Sequence, residues 1–193
     1  MAVLLGALTA AAQPPLHLVF LLPPAFVGLL WLMDGGVPAA PGWKRRARRG
    51  FALGWRFGVG YFAAGLYWVS LSFLVDAERF AWMIPFALFG LSAGLAFYPA
   101  LVAMLSAAVL PAGPARPLVF AAFWTVGEWV RGWAFTGFPW NPVGNVWAFS
   151  DAFLQFAAVG GVFGLSLLTV AAAALPAVLG DVALPARLRK GLV

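Results

Sequence analysis

The chain has 193 residues, 64% of them hydrophobic and 9% formally charged, with a net charge of +6 and no cysteine. A soluble domain carries about 25% charged residues, so these side chains are too apolar to cover a water-facing surface, and disorder needs the opposite balance. The missing cysteine excludes a disulfide scaffold and any thiolate metal site. What remains is an all-α integral membrane protein, a polytopic bundle of about six transmembrane helices at ~20 residues each.

Residues Met1 to Met33 carry no formal charge but are interrupted at Gln13-Pro14-Pro15 and Pro23-Pro24. Proline removes a helix hydrogen bond and clashes with the preceding turn, so the stretch predicts a short helix over 2–12 and a second over 18–33. At 1.5 Å per residue the first reaches ~17 Å, well short of the ~30 Å hydrocarbon core. Either it is a half-span or the true start codon lies upstream, and the second explanation is preferred. Further spans are predicted over 51–75, 80–110, 117–135 and 151–179, with 136–150 a loop rich in Gly, Pro and Trp. The whole of 1–193 reads as one transmembrane domain.

The basic residues follow topology rather than forming one patch. The loops 34–50, 111–117 and 180–193 hold nine of the twelve, including Lys44-Arg45-Arg46-Ala47-Arg48-Arg49 and the tail residues Arg187, Arg189 and Lys190. The alternate loops, 13–17, 76–79 and 136–150, hold only Arg79. Because Lys and Arg mark segments retained inside, the basic loops and both termini are expected in the cytoplasm, and nucleic acid is not an expected partner. Gly54 and Gly58, Gly90 and Gly94, and Gly160 and Gly164 are each four apart. Each pair therefore shares a helix face where small residues let neighbouring backbones approach. Trp68, Trp82, Trp133, Trp140 and Trp147 fall near the outer ends, as an interfacial aromatic belt would.

Chemistry-bearing residues are few. Glu128 and Arg131 are three apart on the fifth span, on one face and able to pair. Ionisable residues in a span are costly and face the interior, a partner or a cavity. Two readings stand equally: a polar site near the outer leaflet that touches a headgroup or peptide, or an internal ion pair that sets the helix's depth. Gly137-Phe138-Pro139-Trp140-Asn141-Pro142 is either an ordinary loop with an aromatic anchor, which is favoured on physical grounds alone, or a segment dipping back toward the acyl chains. His17, the only histidine, reads as a helix-end residue. Asp151 reads as an N-terminal partner for its helix. No nucleophile elbow, P-loop or dinucleotide fingerprint occurs, and no metal or cofactor is expected.

Glu128-Trp129-Val130-Arg131-Gly132-Trp133, then Thr136-Gly137-Phe138-Pro139-Trp140-Asn141, then Val159-Gly160-Gly161-Val162-Phe163-Gly164-Leu165-Ser166 resemble the membrane domain of bacterial apolipoprotein N-acyltransferases. Gly58-Val59-Gly60-Tyr61-Phe62-Ala63-Ala64-Gly65 and Trp68-Val69 strengthen the likeness, which runs from about Phe51 to Leu179. The resemblance implies residence in the bacterial inner membrane. It also implies transfer of an acyl chain from a phospholipid to the α-amino group of a diacylglyceryl-modified lipoprotein, completing lipoprotein maturation. In that family a periplasmic nitrilase-like domain carries a Glu-Lys-Cys triad whose cysteine forms a thioester, while the membrane domain gathers the two lipids. Such gathering lowers the entropic part of the barrier. The site residues that the resemblance brings forward are Glu128, Arg131, Trp133, Phe138, Pro139, Trp140 and Asn141, with none of them catalytic.

With no cysteine, a thioester cannot form on these 193 residues. The expectation is therefore a truncated, inactive lipid-binding half whose nitrilase-like part is missing or supplied by a separate chain. A competing reading is a small transporter, or its substrate-binding subunit, with Glu128 and Arg131 holding a solute. A third is a structural membrane subunit with no ligand.

Overall fold

Proline and glycine set where the helices begin and break. In the computed structural model, which describes residues 1–35, 42–109 and 113–180, α1 runs Ala2–Ala11 and α2 Leu22–Asp34 after a 3-10 turn at Val19–Leu21. Pro23 and Pro24 open α2 instead of interrupting it, since a first-turn proline gives up an N–H that has no intrahelical acceptor. The helix α3, Trp43–Gly65, starts eight residues before the expected span, so the basic run is helical rather than looped. It bends by 47° into a 3-10 segment, Tyr67–Leu74.

The expected span over 80–110 is built from pieces. A short α4, Ala77–Phe80, and a 3-10 turn at Ala81–Met83 lead into α5, Ile84–Leu95, and α6, Phe97–Val109. Next come α7, Arg116–Arg131, and α8, Asp151–Ala174, extended by a 3-10 segment, Leu175–Gly180. Gly161 interrupts α8 with φ 65° and ψ 178°, a conformation that a residue with a Cβ rarely adopts. Asp151 is the first residue of α8, an acidic side chain in its first turn, and the N-cap Ser150 makes no side-chain cap bond.

Among the described residues the chain is all-helical. Ala77–Val109 and Asp151–Gly180 are long and apolar enough to cross a membrane, and the bent pair Trp43–Gly65 with Tyr67–Leu74 makes a third such run. The other helices are shorter than a hydrocarbon core requires. The tail residues Arg187, Arg189 and Lys190, and parts of the expected loops at 34–50 and 111–117, lie outside the described residues.

The central element is α3. A Cβ on Gly6 would overlap the Phe57 carbonyl and one on Gly60 the Val3 carbonyl, so α1 lies almost backbone to backbone beside the Phe57–Gly65 half of α3. Gly54 takes α6 in the same way, through Pro99 and Ala103, and Gly58 meets Pro99 of α6 and Ala96 just before it. Gly90 and Gly94 face open space, and Gly160 and Gly164 touch only Phe156 of their own helix. The core between α2, α3 and α7 is aromatic. Trp124 meets Phe26 at 5.1 Å and Phe57 at 5.9 Å, both edge to face, the geometry that ring quadrupoles favour.

Candidate functional site

After α7 the chain turns sharply. Phe135, Thr136, Gly137 and Asn141 have φ of 51°, 76°, 84° and 54°. Only glycine takes the left-handed region freely; other residues incur roughly 1–2 kcal/mol each. A segment with three such residues persists only where surrounding contacts hold it.

Those contacts come from three helices and the segment after α1. From α7, Arg131 Nη1 donates to Phe138 O at 2.8 Å and Trp140 O at 2.5 Å, and Phe138 N–H returns to Arg131 O at 2.8 Å. Glu128 Oε1 accepts Val143 N–H and Trp124 Nε1–H, each at 2.8 Å. From α3, Tyr61 donates its hydroxyl to Asn141 O at 2.6 Å, while Asn141 Nδ2 donates to Gly65 O at 3.1 Å. Gln13, just past α1, donates to Tyr61 Oη at 2.9 Å and Pro142 O at 3.1 Å. From α8, Ser166 Oγ accepts Gly144 N–H at 2.8 Å and Thr169 Oγ1 accepts Trp147 Nε1–H at 2.7 Å. His17 lies in the connection between α1 and the 3-10 turn at Val19–Leu21, and its Nδ1 is 3.2 Å from Val146 O.

Glu128 and Arg131 are both buried, at 6% and 3% exposure. Although three residues apart, they form no direct ion pair; each turns to a different stretch of the loop. Arg131 lies over the Phe62 ring at 5.3 Å, a cation–π contact. The cavity bordered by Tyr61, Tyr98, Glu128 and Arg131 measures about 10 Å³, room for one water and not for a solute.

Outside this polar core the loop is apolar and open. Trp133 and Trp140 are more than half exposed, Phe135 almost wholly so, and Trp140 meets Trp68 edge-on at 5.5 Å. Pro139 is exposed, and Phe138 is partly buried against the core. A groove of about 750 Å³ runs beside the loop, lined by Gly90, Leu91, Gly94 and Tyr98 on one side and by Val130, Phe135, Gly137 and Phe138 on the other. Its size is that of a small-molecule site, and the bare glycines of α5 form one side of it.

The structure thus brings Glu128, Arg131, Phe138, Trp140 and Asn141 into one network, with Trp133 and Pro139 at its exposed margin. Gln13, Tyr61, Ser166 and Thr169 belong to the same network, although nothing in their spacing marks them. Tyr61 stands inside the quoted Gly-Val-Gly-Tyr-Phe run, Ser166 closes the quoted run from Val159, and Gln13 is the one polar side chain between α1 and the first prolines; these are the signals the sequence holds. Among the described residues no group of three or more His, Asp or Glu converges as a metal site.

The sequence pattern described as the apolipoprotein N-acyltransferase N-terminal domain matches residues 5–175. The apolipoprotein N-acyltransferase of Caulobacter vibrioides is 42% identical over 178 residues, covering 92% of this chain and 32% of that protein. Its counterpart from Rhodopseudomonas palustris is 42% identical over 180 residues, covering 93% and 33%. That of Brucella melitensis is 40% identical over 179 residues, covering 92% and 34%. The chain spans about a third of the length of these relatives, and its match is to their N-terminal domain. It belongs to the apolipoprotein N-acyltransferase family.

Proposed function

We propose that this chain is the lipid-holding membrane domain of an apolipoprotein N-acyltransferase in the bacterial inner membrane. It binds a phospholipid acyl donor and a diacylglyceryl-modified lipoprotein side by side. The observation that carries this reading is the family match over 5–175, joined to an apolar groove of about 750 Å³ walled by the same loop that carries the family-like motif. Glu128 and Arg131 fix that loop from below by hydrogen bonds. Trp133, Phe138, Pro139, Trp140 and Asn141 shape its lipid-facing surface.

Residues 1–193 act as one transmembrane domain with about six crossings. The basic ends of the helices face the cytoplasm, and the clamped loop lies at the outer face. Acyl transfer needs a nucleophile, and the resemblance puts it on a cysteine of a nitrilase-like domain; these 193 residues have no cysteine. That domain, in continuation or as a separate chain, completes the enzyme.

The transporter reading rested on a solute held between Glu128 and Arg131, and a cavity of about 10 Å³ leaves no room for one. Two measurements test the lipid reading. Expressed alone in cells depleted of their own enzyme, the chain produces no N-acylated lipoprotein; purified in mild detergent, it retains phospholipid by native mass spectrometry. N-acylation by the chain alone refutes its dependence on a second domain. A protein that binds a water-soluble solute and no phospholipid refutes the lipid reading itself.

A further inference from the structure

The opposite end of the bundle carries a feature that acyl transfer does not use. Lys44, Arg45, Arg46, Arg48 and Arg49 occupy the first two turns of α3, with no acidic residue in the first turn and no side-chain cap. A helix N-terminus carries the positive end of the macrodipole, so cations there are unfavourable and an anion is favourable. Two of the five are turned inward onto carbonyls: Arg46 Nε donates to Ala107 O at 3.0 Å, and Arg49 donates twice to Leu32 O at 3.1 and 2.7 Å. Among the described residues the carboxylate at this end is Asp34, which is paired with Arg116. The other carboxylates of the described residues, Asp76, Glu78, Glu128 and Asp151, lie toward the far end. Lys44, Arg45 and Arg48 are exposed.

Two hollows adjoin at this place. One of about 480 Å³ is lined by Lys44, Arg45, Arg48 and Arg49. The other, about 430 Å³, is lined by Trp43, Ala47, Phe51 and Met104 together with Lys44 and Arg48, which border both. One hollow is cationic, its neighbour is almost wholly apolar, and two basic residues stand at the seam. Trp43 is 58% exposed beside them, placed as an interfacial anchor.

We infer that the N-terminal end of α3 binds an anionic glycerophospholipid, its phosphodiester among Lys44, Arg45 and Arg48 and its acyl chain against Trp43, Ala47, Phe51 and Met104. Charge complementarity selects an anion, and the adjoining apolar hollow selects one that carries a hydrocarbon chain. A free phosphate or a nucleic acid fills only the cationic half. The site lies at the opposite end of the bundle from the clamped loop, so it does not rest on the acyl-transfer reading.

The test uses the full chain in neutral detergent, titrated separately with phosphatidylglycerol, phosphatidylcholine and inorganic phosphate, with binding read by native mass spectrometry and by thermal midpoint. At equal concentration phosphatidylglycerol binds with one molecule more per chain than phosphatidylcholine, which reaches only the groove, and raises the midpoint further, while inorganic phosphate does neither. Each of Lys44→Gln, Arg45→Gln and Arg48→Gln weakens phosphatidylglycerol about fivefold, with the loss shrinking as salt rises. Phe51→Ala weakens it as well, and Arg79→Gln at the far end leaves it unchanged. Because Lys44, Arg45 and Arg48 are exposed, their variants keep the wild-type midpoint in lipid-free detergent. Equal binding of phosphatidylcholine, an equal shift from inorganic phosphate, or undiminished phosphatidylglycerol binding by all three glutamine variants overturns the inference.

Discussion

A charged side chain inside a membrane bundle must earn its place through its partners, and Arg131 does so by gathering backbone. Its guanidinium satisfies the carbonyls of Phe138 and Trp140 in a segment that holds three non-glycine residues in left-handed conformations. Arg131→Ala leaves those carbonyls unpaired in an apolar setting and releases the strained turn, a loss of ~3 kcal/mol. Arg79→Ala removes an exposed cation resting on the Phe80 ring and costs under about 0.5 kcal/mol. Unfolding of both variants in one detergent checks the difference, and equal losses sink the clamp. The sequence marked Glu128 and Arg131 because ionisable residues are rare in spans. Their partners were not legible. Helical spacing speaks of neighbours on the same helix, whereas Val143 N–H and the carbonyls of Phe138 and Trp140 are backbone groups with no side-chain signature. Gln13, Tyr61, Ser166 and Thr169 stayed hidden for a related reason: each looks like any polar residue of a membrane helix until the loop arrives.

Among the helices, one sequence pattern has three outcomes. Three glycine pairs share a four-residue spacing, yet only Gly54 and Gly58 pack against another helix, while Gly90 and Gly94 open onto the groove and Gly160 and Gly164 sit under Phe156. Spacing places two small residues on one face, but which face meets a neighbour depends on the whole bundle. Helix boundaries were legible to the same extent. The prolines correctly warned of breaks near 14 and 23, but Pro23, Pro85 and Pro117 prove to be starts, in the first turns of α2, α5 and α7. Charge suggested a loop over 44–49 where the backbone is already helical, because long basic side chains reach water from a helix as readily as from a loop. The glycine contrast predicts opposite results for the same substitution. Gly54→Leu drives a side chain into Pro99 and Ala103 and lowers stability by ~2 kcal/mol or more. Gly90→Leu keeps the fold and occupies the groove, so the purified protein retains less phospholipid at an unchanged thermal midpoint. Equal destabilisation by the two substitutions would remove the distinction between packed and open glycines.

Among the described residues, apart from Arg56 midway along α3 and the buried Glu128 and Arg131, charge divides by end. Lys44, Arg45, Arg46, Arg48, Arg49 and Arg116 gather at one end with Asp34, whereas Asp76, Glu78 and Asp151 mark the other with Arg79. The aromatic rim, with Trp68, Trp82, Trp133 and Trp140 exposed, lies at the second end, and Trp147 is turned in toward Thr169. Positive residues are retained inside during insertion, so the proposed orientation puts the basic end in the cytoplasm and the clamped loop outside. The absent cysteine makes this directly measurable, because any thiol introduced is the sole thiol of the chain. Val75→Cys, at 89% exposure directly after the 3-10 segment Tyr67–Leu74, reacts with a membrane-impermeant maleimide on intact spheroplasts. Arg45→Cys at the start of α3 reacts only after the membrane is opened. The reverse pattern inverts the orientation, and labelling of both on intact cells means that α3 and its 3-10 extension do not cross. In the proposed arrangement an outside loop sits where a periplasmic catalytic domain would reach lipids held in the groove, so the orientation and the proposed division of labour stand or fall on the same pair of thiols.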